Sequence, residues 1–130
     1  MANRFEMYVC DLCGNVVDVV EEAAGVLACC GQDMTLQTEN TTDAAQEKHV
    51  PVVTVIGNTV SVQVGSVDHP MTEAHYIPWI ELRQGNKLQR IYLTPSDEPK
   101  AVFAIDAAPG PQDAPIFVRA SCNLHGLWKN

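Results

Sequence analysis

Basic residues are scarce in this chain. Eight lysines and arginines face sixteen aspartates and glutamates, giving a formal net charge of −8. No basic stripe is available to displace counterions from a phosphate backbone, which excludes nucleic acid as the expected partner. Long apolar runs are lacking as well, and none approaches the ~20 residues that a membrane-spanning helix needs. The opening stretch MANRFEMYVC has no apolar segment of the kind a secretory signal carries. A soluble, cytoplasmic protein with no membrane partner is therefore expected. Long amphipathic helical patterns are also absent, so the fold is not expected to be a helical bundle.

The chain does have five cysteines and four histidines within 130 residues. An odd number of cysteines leaves one thiol over in any disulfide framework, and a reducing compartment disfavours the bonds. Metal ligation is the better expectation. The charge is unevenly spread: residues 1–46 carry eight acids against Arg4, a net of −7, whereas residues 47–130 carry eight acids and seven bases, a net of −1. Two units with different surfaces are implied. The expected division is a small module over 1–37, a linker over 38–46 (TENTTDAAQ, polar and without apolar periodicity) and a domain over 47–130.

Short β-like runs, EMYV, NVVDVV and GVLA, alternate with the cysteines of the module. From residue 50 onward the pattern is strand after strand. VPVVTVIG is rich in β-branched residues, and in NTVSVQVGS Val60, Val62 and Val64 alternate with Ser61 and Gln63, the period of a half-buried strand. Gly57-Asn58 between these runs fits a tight hairpin turn, as does QGN between HYIPWIELR and KLQRIYL. AVFAID and APIFVRASC complete the set, separated by a Pro/Gly-rich loop. Six or seven short strands at this spacing predict an all-β chain whose main domain is an antiparallel β-sandwich.

The first candidate metal site is Cys10, Cys13, Cys29 and Cys30: a C-x-x-C pair, a gap of fifteen residues, then two adjacent cysteines. A C-x-x-C turn puts two thiolates on one side of a metal. Four thiolates suit tetrahedral zinc, a single iron or occasionally a cluster. A structural zinc ribbon is the competing reading, but ribbons usually use two C-x-x-C knuckles, and adjacent cysteines force a distorted tetrahedron. A module of this size is too small to be held by its core, so the metal contributes to folding under either reading.

The second candidate site gathers every remaining ligand-type residue: His49, His69, His75, Cys122 and His125. His49 precedes the first strand of the sandwich, His69 and His75 bracket the loop DHPMTEAH, and Cys122 and His125 are expected to follow the last strand. Loops at strand ends cluster on a sandwich, so the five can converge. Any one of these histidines alone is more ordinary as a surface or hydrogen-bonded residue. Their joint absence from the first 48 residues and from strand interiors is what one imidazole–thiolate metal explains. Cys-x-x-His near the end of a β-sandwich also fits a copper site of two histidines, one cysteine and an axial methionine. Here no methionine follows His125, and four histidines are too many for that site.

Ferrous iron with one thiolate and four neutral imidazoles carries a single net positive charge and keeps a sixth octahedral position open. A thiolate also donates electron density to the metal. Such a centre suits binding a small anion and passing it one electron. Glu47 and Lys48 stand immediately before His49. They read either as an ordinary solvated pair or as residues carried to the metal's rim, where Lys48 attracts and helps protonate an anion and Glu47 covers the open position.

YVCDLCGNVVDVV…GVLACCGQDM resembles the desulforedoxin-type module, and EKHVPVV, HPMTEAHYIPWIEL and CNLHGLWK resemble the neelaredoxin-type domain. Together they resemble the desulfoferrodoxin family of two-iron superoxide reductases, over nearly the whole chain. The resemblance implies two mononuclear non-haem irons: a distorted rubredoxin-like iron on Cys10, Cys13, Cys29 and Cys30, and a catalytic iron on His49, His69, His75, His125 and an axial Cys122. It implies an immunoglobulin-like sandwich, usually in a homodimer, and rubredoxin as a plausible electron donor. It also implies that Glu47 binds the ferric iron after product leaves and that Lys48 supports superoxide attraction and proton delivery. Some relatives lack part of the four-cysteine set, which this chain keeps whole. The loop at 107–115, AAPGPQDAP, is not among the segments that carry the resemblance, and its role is open. The implied activity is one-electron reduction of superoxide to hydrogen peroxide; the competing readings are a non-catalytic two-centre electron-transfer protein and a zinc-binding protein.

Overall fold

The structure, a computed structural model, describes residues 2–40, 46–106 and 115–130, with the side chains of all of these except Gln46 and Glu47. It separates into two compact units, Met1–Thr38 and Glu39–Asn130. No helix among the described residues is long and apolar enough to cross a membrane.

In the first unit, β1 (Met7–Val9), β2 (Val16–Asp18) and β5 (Thr35–Gln37) form an antiparallel sheet in the order β2-β1-β5. A separate hairpin pairs β3 (Ala28–Cys29) with β4 (Gln32–Asp33). The buried apolar residues here are few: Ala2, Met7, Cys10 and Val19. GVLA, expected as a strand, contributes only its last residue to one. Val26 stands 71% exposed, because a module this small cannot bury all of its valines.

The second unit opens with Glu39 and Asn40, which lie at the start of the expected linker but belong to this unit. Asn40 makes a parallel bridge to Trp128, donating to the Leu127 carbonyl at 2.8 Å and accepting from the Lys129 amide at 3.1 Å. Residues 41–45 of the linker and 107–114 of the expected loop lie outside the described residues. A single helical turn, α1 (Gln46–His49), leads into the sandwich. One sheet has the order β10-β7-β6, built from β6 (Pro51–Ile56), β7 (Thr59–Val64) and β10 (Lys100–Ala104). The other has the order β12-β11-β8-β9, built from β8 (Trp79–Gln84), β9 (Lys87–Tyr92), β11 (Ile116–Cys122) and β12 (Gly126–Lys129). Every pair of neighbours within both sheets is antiparallel. The fold is therefore the immunoglobulin-like sandwich expected from the sequence.

The two expected hairpin turns are present, with Gly57 at φ 61° and Gly85 at φ 58°, the left-handed geometry that primed turns require. Along β7 the alternation places Val60, Val62 and Val64 in one core with Ile80 and Leu82 of β8, Phe103 of β10 and Val118 and Ala120 of β11. Burial of this kind contributes roughly 1.5–3 kcal/mol per large side chain. Cys122 belongs to the same cluster, so the last residue of a core strand is also a candidate ligand.

Two details differ from expectation. The strand expected over HYIPWIELR begins only at Trp79. A further strand, β12, follows Cys122, so this cysteine ends β11 instead of lying beyond the last strand, and His125 sits in the turn between β11 and β12. GLWK hides its strand character because Leu127 and Trp128, both 1% exposed, are adjacent and break the usual alternation.

On the other face of β8, Glu81 is opposite Arg90 of β9 and Arg119 of β11. Its carboxylate is 2% exposed and accepts hydrogen bonds from both guanidinium groups, at 2.6 Å from Arg90 Nη2. Arg119 also donates to Glu39 at 3.1 Å, tying the entry of the unit to its sheet.

Candidate metal centres

The first centre is built from two tight turns. β1 runs into Cys10, and the Gly14 amide closes back on the Cys10 carbonyl at 2.9 Å, with Gly14 at φ 81°. At the second turn Cys30 has φ 53° and Gly31 φ 78°. A non-glycine residue held in this region is uncommon, and here it lets adjacent cysteines face one point. The four sulfurs lie within 4.8 Å of one another, with Cys13–Cys29 at 3.6 Å and Cys29–Cys30 at 3.9 Å. Metal–sulfur bonds of about 2.3 Å in a tetrahedron put sulfurs about 3.8 Å apart, so the donor set fits one metal.

The electrostatics agree. Amide groups of Cys13 and Leu12 hydrogen-bonding to its sulfur bring the Cys10 thiol down to about 7. The Cys30 thiol is pushed up to about 12 by Cys13, Cys29 and Cys10 crowded around it. Four thiolates therefore require a cation among them.

The second centre draws on segments far apart in sequence. His49 ends α1, His69 and His75 come from the β7–β8 connection, Cys122 ends β11 and His125 follows in the next turn. The ligand atoms of His49, His69, His75 and Cys122 lie within 4.8 Å of one another. His125 joins them through Nδ1, 3.0 Å from His49 Nε2 and 3.6 Å from Cys122 Sγ. The five candidates thus converge.

Whether they fit a metal is decided by their nitrogens. His69 Nδ1 sits 2.7 Å from the Pro70 carbonyl, an arrangement that places the proton on Nδ1 and the lone pair on Nε2. Nε2 of His69 and of His75 are both buried with no hydrogen-bond partner. Buried polar atoms are nearly always satisfied, so two such imidazole nitrogens in one cluster offer lone pairs suited to a metal ion. Burial, outweighing the Pro70 carbonyl, lowers the His69 pKa to about 4, and it lowers His75 as well, assisted by His125, His49 and Lys48. Both rings are thus neutral near pH 7, as ligation requires. Burial raises the Cys122 thiol, against hydrogen bonds from the Leu124 and His125 amides, so a nearby cation is what makes it a thiolate.

The cluster is asymmetric. His49, His69 and Cys122 are each 2% exposed, whereas His125 and its neighbour Leu124 face solvent. Lys48 is exposed and lies near enough to disfavour a positive charge on His75. The Glu47 side chain falls outside the described residues.

Two residues at the site had no part in the sequence reasoning. Asn123 brackets His75, accepting from the Tyr76 amide at 2.9 Å and donating to the Ala74 carbonyl at 3.0 Å. Trp128 stacks on His49, with ring centroids 4.5 Å apart and planes 21° apart. Their closeness in sequence to Cys122 and His125 was the available signal.

Two family models match the chain: "Desulfoferrodoxin, N-terminal domain" over residues 2–37 and "Desulfoferrodoxin" over residues 41–130. A desulfoferrodoxin of Syntrophotalea carbinolica is 49% identical over 130 residues, covering 100% of this chain and 98% of that protein. A superoxide reductase of Pyrococcus horikoshii is 34% identical over 113 residues, covering 75% of this chain and 96% of that protein. Among solved structures, the superoxide reductase of Treponema pallidum superposes with a TM-score of 0.75 at 32% identity, covering 96% of each chain. With both of its units matched and its length shared with such relatives, the chain belongs to the desulfoferrodoxin family.

Proposed function

We propose that this protein is a superoxide reductase whose chemistry takes place at the second centre. The observation that carries the reading is the set of buried, unpartnered imidazole nitrogens converging with Cys122 at a site open to solvent on its His125 side. The names of the Pyrococcus and Treponema relatives support the same substrate.

We assign His49, His69, His75, His125 and Cys122 as ligands of a mononuclear catalytic iron, and Cys10, Cys13, Cys29 and Cys30 as ligands of a second iron. Ferrous iron held by these five residues would supply the one electron that, with two protons, turns superoxide into hydrogen peroxide. The chain's own residues do the rest. Cys122, as a thiolate, supplies electron density from the core side of the site. The four neutral imidazoles leave the centre with a net positive charge that favours an anionic substrate. Lys48 attracts superoxide to the exposed face and helps deliver a proton, and Glu47 covers that face after peroxide departs. No dioxygen is formed, which separates the reaction from dismutation.

An external one-electron donor such as rubredoxin restores the ferrous state. The proposed division is 1–37 for the cysteine module and 47–130 for the reductase domain, joined by 38–46, of which Glu39 and Asn40 pack with the second unit, in a cytoplasmic homodimer. The competing electron-transfer reading needs a second centre that does not react with superoxide.

The test is iron quantification with an optical spectrum and superoxide kinetics on wild type and Cys122→Ser. Two irons per chain are expected in wild type. The variant loses the charge-transfer band of the second centre and, since removing a ligand costs more than the ~100-fold of an outer partner, its superoxide reduction falls by more than that. An unchanged spectrum in the variant would overturn the ligand assignment. Reduced wild type that fails to oxidise rapidly with superoxide would overturn the activity.

A further inference from the structure

The weakest support in the second centre lies beneath His49. The other candidate ligands are held by a core strand, by the turn that follows it or by a connection between strands. His49 ends a helical turn of four residues, too short to be stable by its own hydrogen bonds. That same turn carries Glu47 and Lys48. Something outside it must set the direction of the His49 ring.

We propose that Trp128 is a positioning residue for this centre: its indole face fixes the plane of the His49 ring, while its N–H adds a smaller tie to the turn that bears His125. The inference rests on the ligand assignment above. Three observations carry it. The indole and the His49 ring are nearly parallel, 21° apart with centroids 4.5 Å from one another, whereas His49 meets His69 and His125 edge-on at 71° and 85°. Trp128 Nε1 donates to the His125 carbonyl at 3.1 Å. One side chain therefore touches two candidate ligands that stand 76 positions apart in the sequence.

Trp128 is itself firmly held. It is 1% exposed, its strand neighbour on one side is Ala120 of β11, and on the other side Asn40 hydrogen-bonds to the residues before and after it. A rigid aromatic wall against one edge of the cluster restricts His49 to rotations that keep Nε2 directed at the other donors. An aliphatic side chain of similar bulk fills the space without imposing a plane. Pre-organising a ligand in this way raises metal affinity and narrows the range of geometries at the centre.

The prediction separates the plane from the volume. Trp128→Phe keeps an aromatic face and loses the N–H; Trp128→Leu keeps apolar bulk and loses both. Each is prepared with both irons and compared with wild type by optical spectrum and by the rate at which a chelator removes the second iron. The band of the four-cysteine iron serves as an internal reference.

The leucine variant is expected to show a displaced, broadened second-centre band and iron loss on the order of 10–100-fold faster, the range for residues that orient ligands. The phenylalanine variant keeps the band position and loses iron only a few-fold faster. A leucine variant with the wild-type band and wild-type iron retention overturns the proposal, even if its melting temperature falls, because Trp128 is then only core. Equal impairment by phenylalanine and leucine also overturns it. Should the leucine variant not fold, the phenylalanine variant decides: an unmoved band supports the proposal and a displaced band overturns it. Wild type without a second-centre band would instead overturn the ligand assignment itself.

Discussion

The two centres solve one problem, bringing four or five donors to a point, in opposite ways. The cysteine centre spans residues 10–30 and is made by turns, with Cys13 and Cys30 exposed and only four buried apolar residues among the described residues of its unit. The histidine centre spans residues 49–125 and is made by the sandwich, with Cys122 part of the hydrophobic core itself. The first has little core beside its donor set; the second holds its donors on a packed sandwich. Backbone strain follows the same division. The non-glycine residues with positive φ among the described residues, Phe5 at 73° and Cys30 at 53°, both lie in the first unit, and Cys30 is one of its candidate ligands.

Metal removal should break this symmetry most plainly. With a metal in each centre as proposed, stripping both with a strong chelator would take from the first unit a binding free energy on the order of 10 kcal/mol that its core cannot replace. Amides of residues 7–37 should then exchange with solvent at nearly unprotected rates. Amides of β7, β8 and β11 should stay protected, because Val60, Val62, Ile80, Leu82 and Val118 remain packed without a metal. Hydrogen exchange followed by mass spectrometry reads both units in one sample. Equal loss of protection in the two would show that the second unit, too, depends on its metal for its fold.

Glu81→Ala tests the converse, a lesion in the sandwich that the cysteine centre should not feel. Removing a buried carboxylate shared by Arg90 and Arg119 costs about 3–5 kcal/mol where such a pair is broken. Thermal unfolding of the second unit should move down accordingly while the spectrum of the four-cysteine iron stays unchanged. Glu81→Gln, which keeps the shape and part of the hydrogen bonding, should fall between the two.

The same contrast explains what the sequence disclosed. Cys10-x-x-Cys13 and Cys29-Cys30 are local, so spacing alone shows that they act together. The histidine centre has no spacing rule; it was legible because every histidine and the fifth cysteine fell outside strand interiors. Val60, Val62 and Val64 gave the sandwich by alternation. What stayed hidden depends on tertiary placement. Trp128 follows a buried leucine and so shows no strand period, and Glu81 looks like any outward-facing charge until Arg90 and Arg119 are seen across the strands from it. Left-handed Cys30 was foreseen only as a distorted tetrahedron, since a dihedral angle has no signature in composition.

Lys48 sharpens the comparison from the substrate's side, with the smallest effect. The histidine centre is open to solvent on its His125 side, and Lys48 is an exposed cation close enough to disfavour charge on His75. In a chain whose net charge is −8, the role proposed for Lys48 is to offset a field that otherwise disfavours an anionic substrate. Lys48→Ala should slow the second-order reaction with superoxide by about tenfold at low salt and flatten its dependence on ionic strength, as loss of a steering charge does. Both irons should stay bound, and the spectra of both centres should match wild type, because Lys48 is not among the ligands. Stopped-flow or pulse-radiolysis rates at two salt concentrations make the measurement. A rate that falls equally at low and high salt would move Lys48 from steering to proton delivery, and loss of the second iron would make it a structural support of α1. The four-cysteine centre, whose ligands include none of the residues of α1, should give the same spectrum in all three cases.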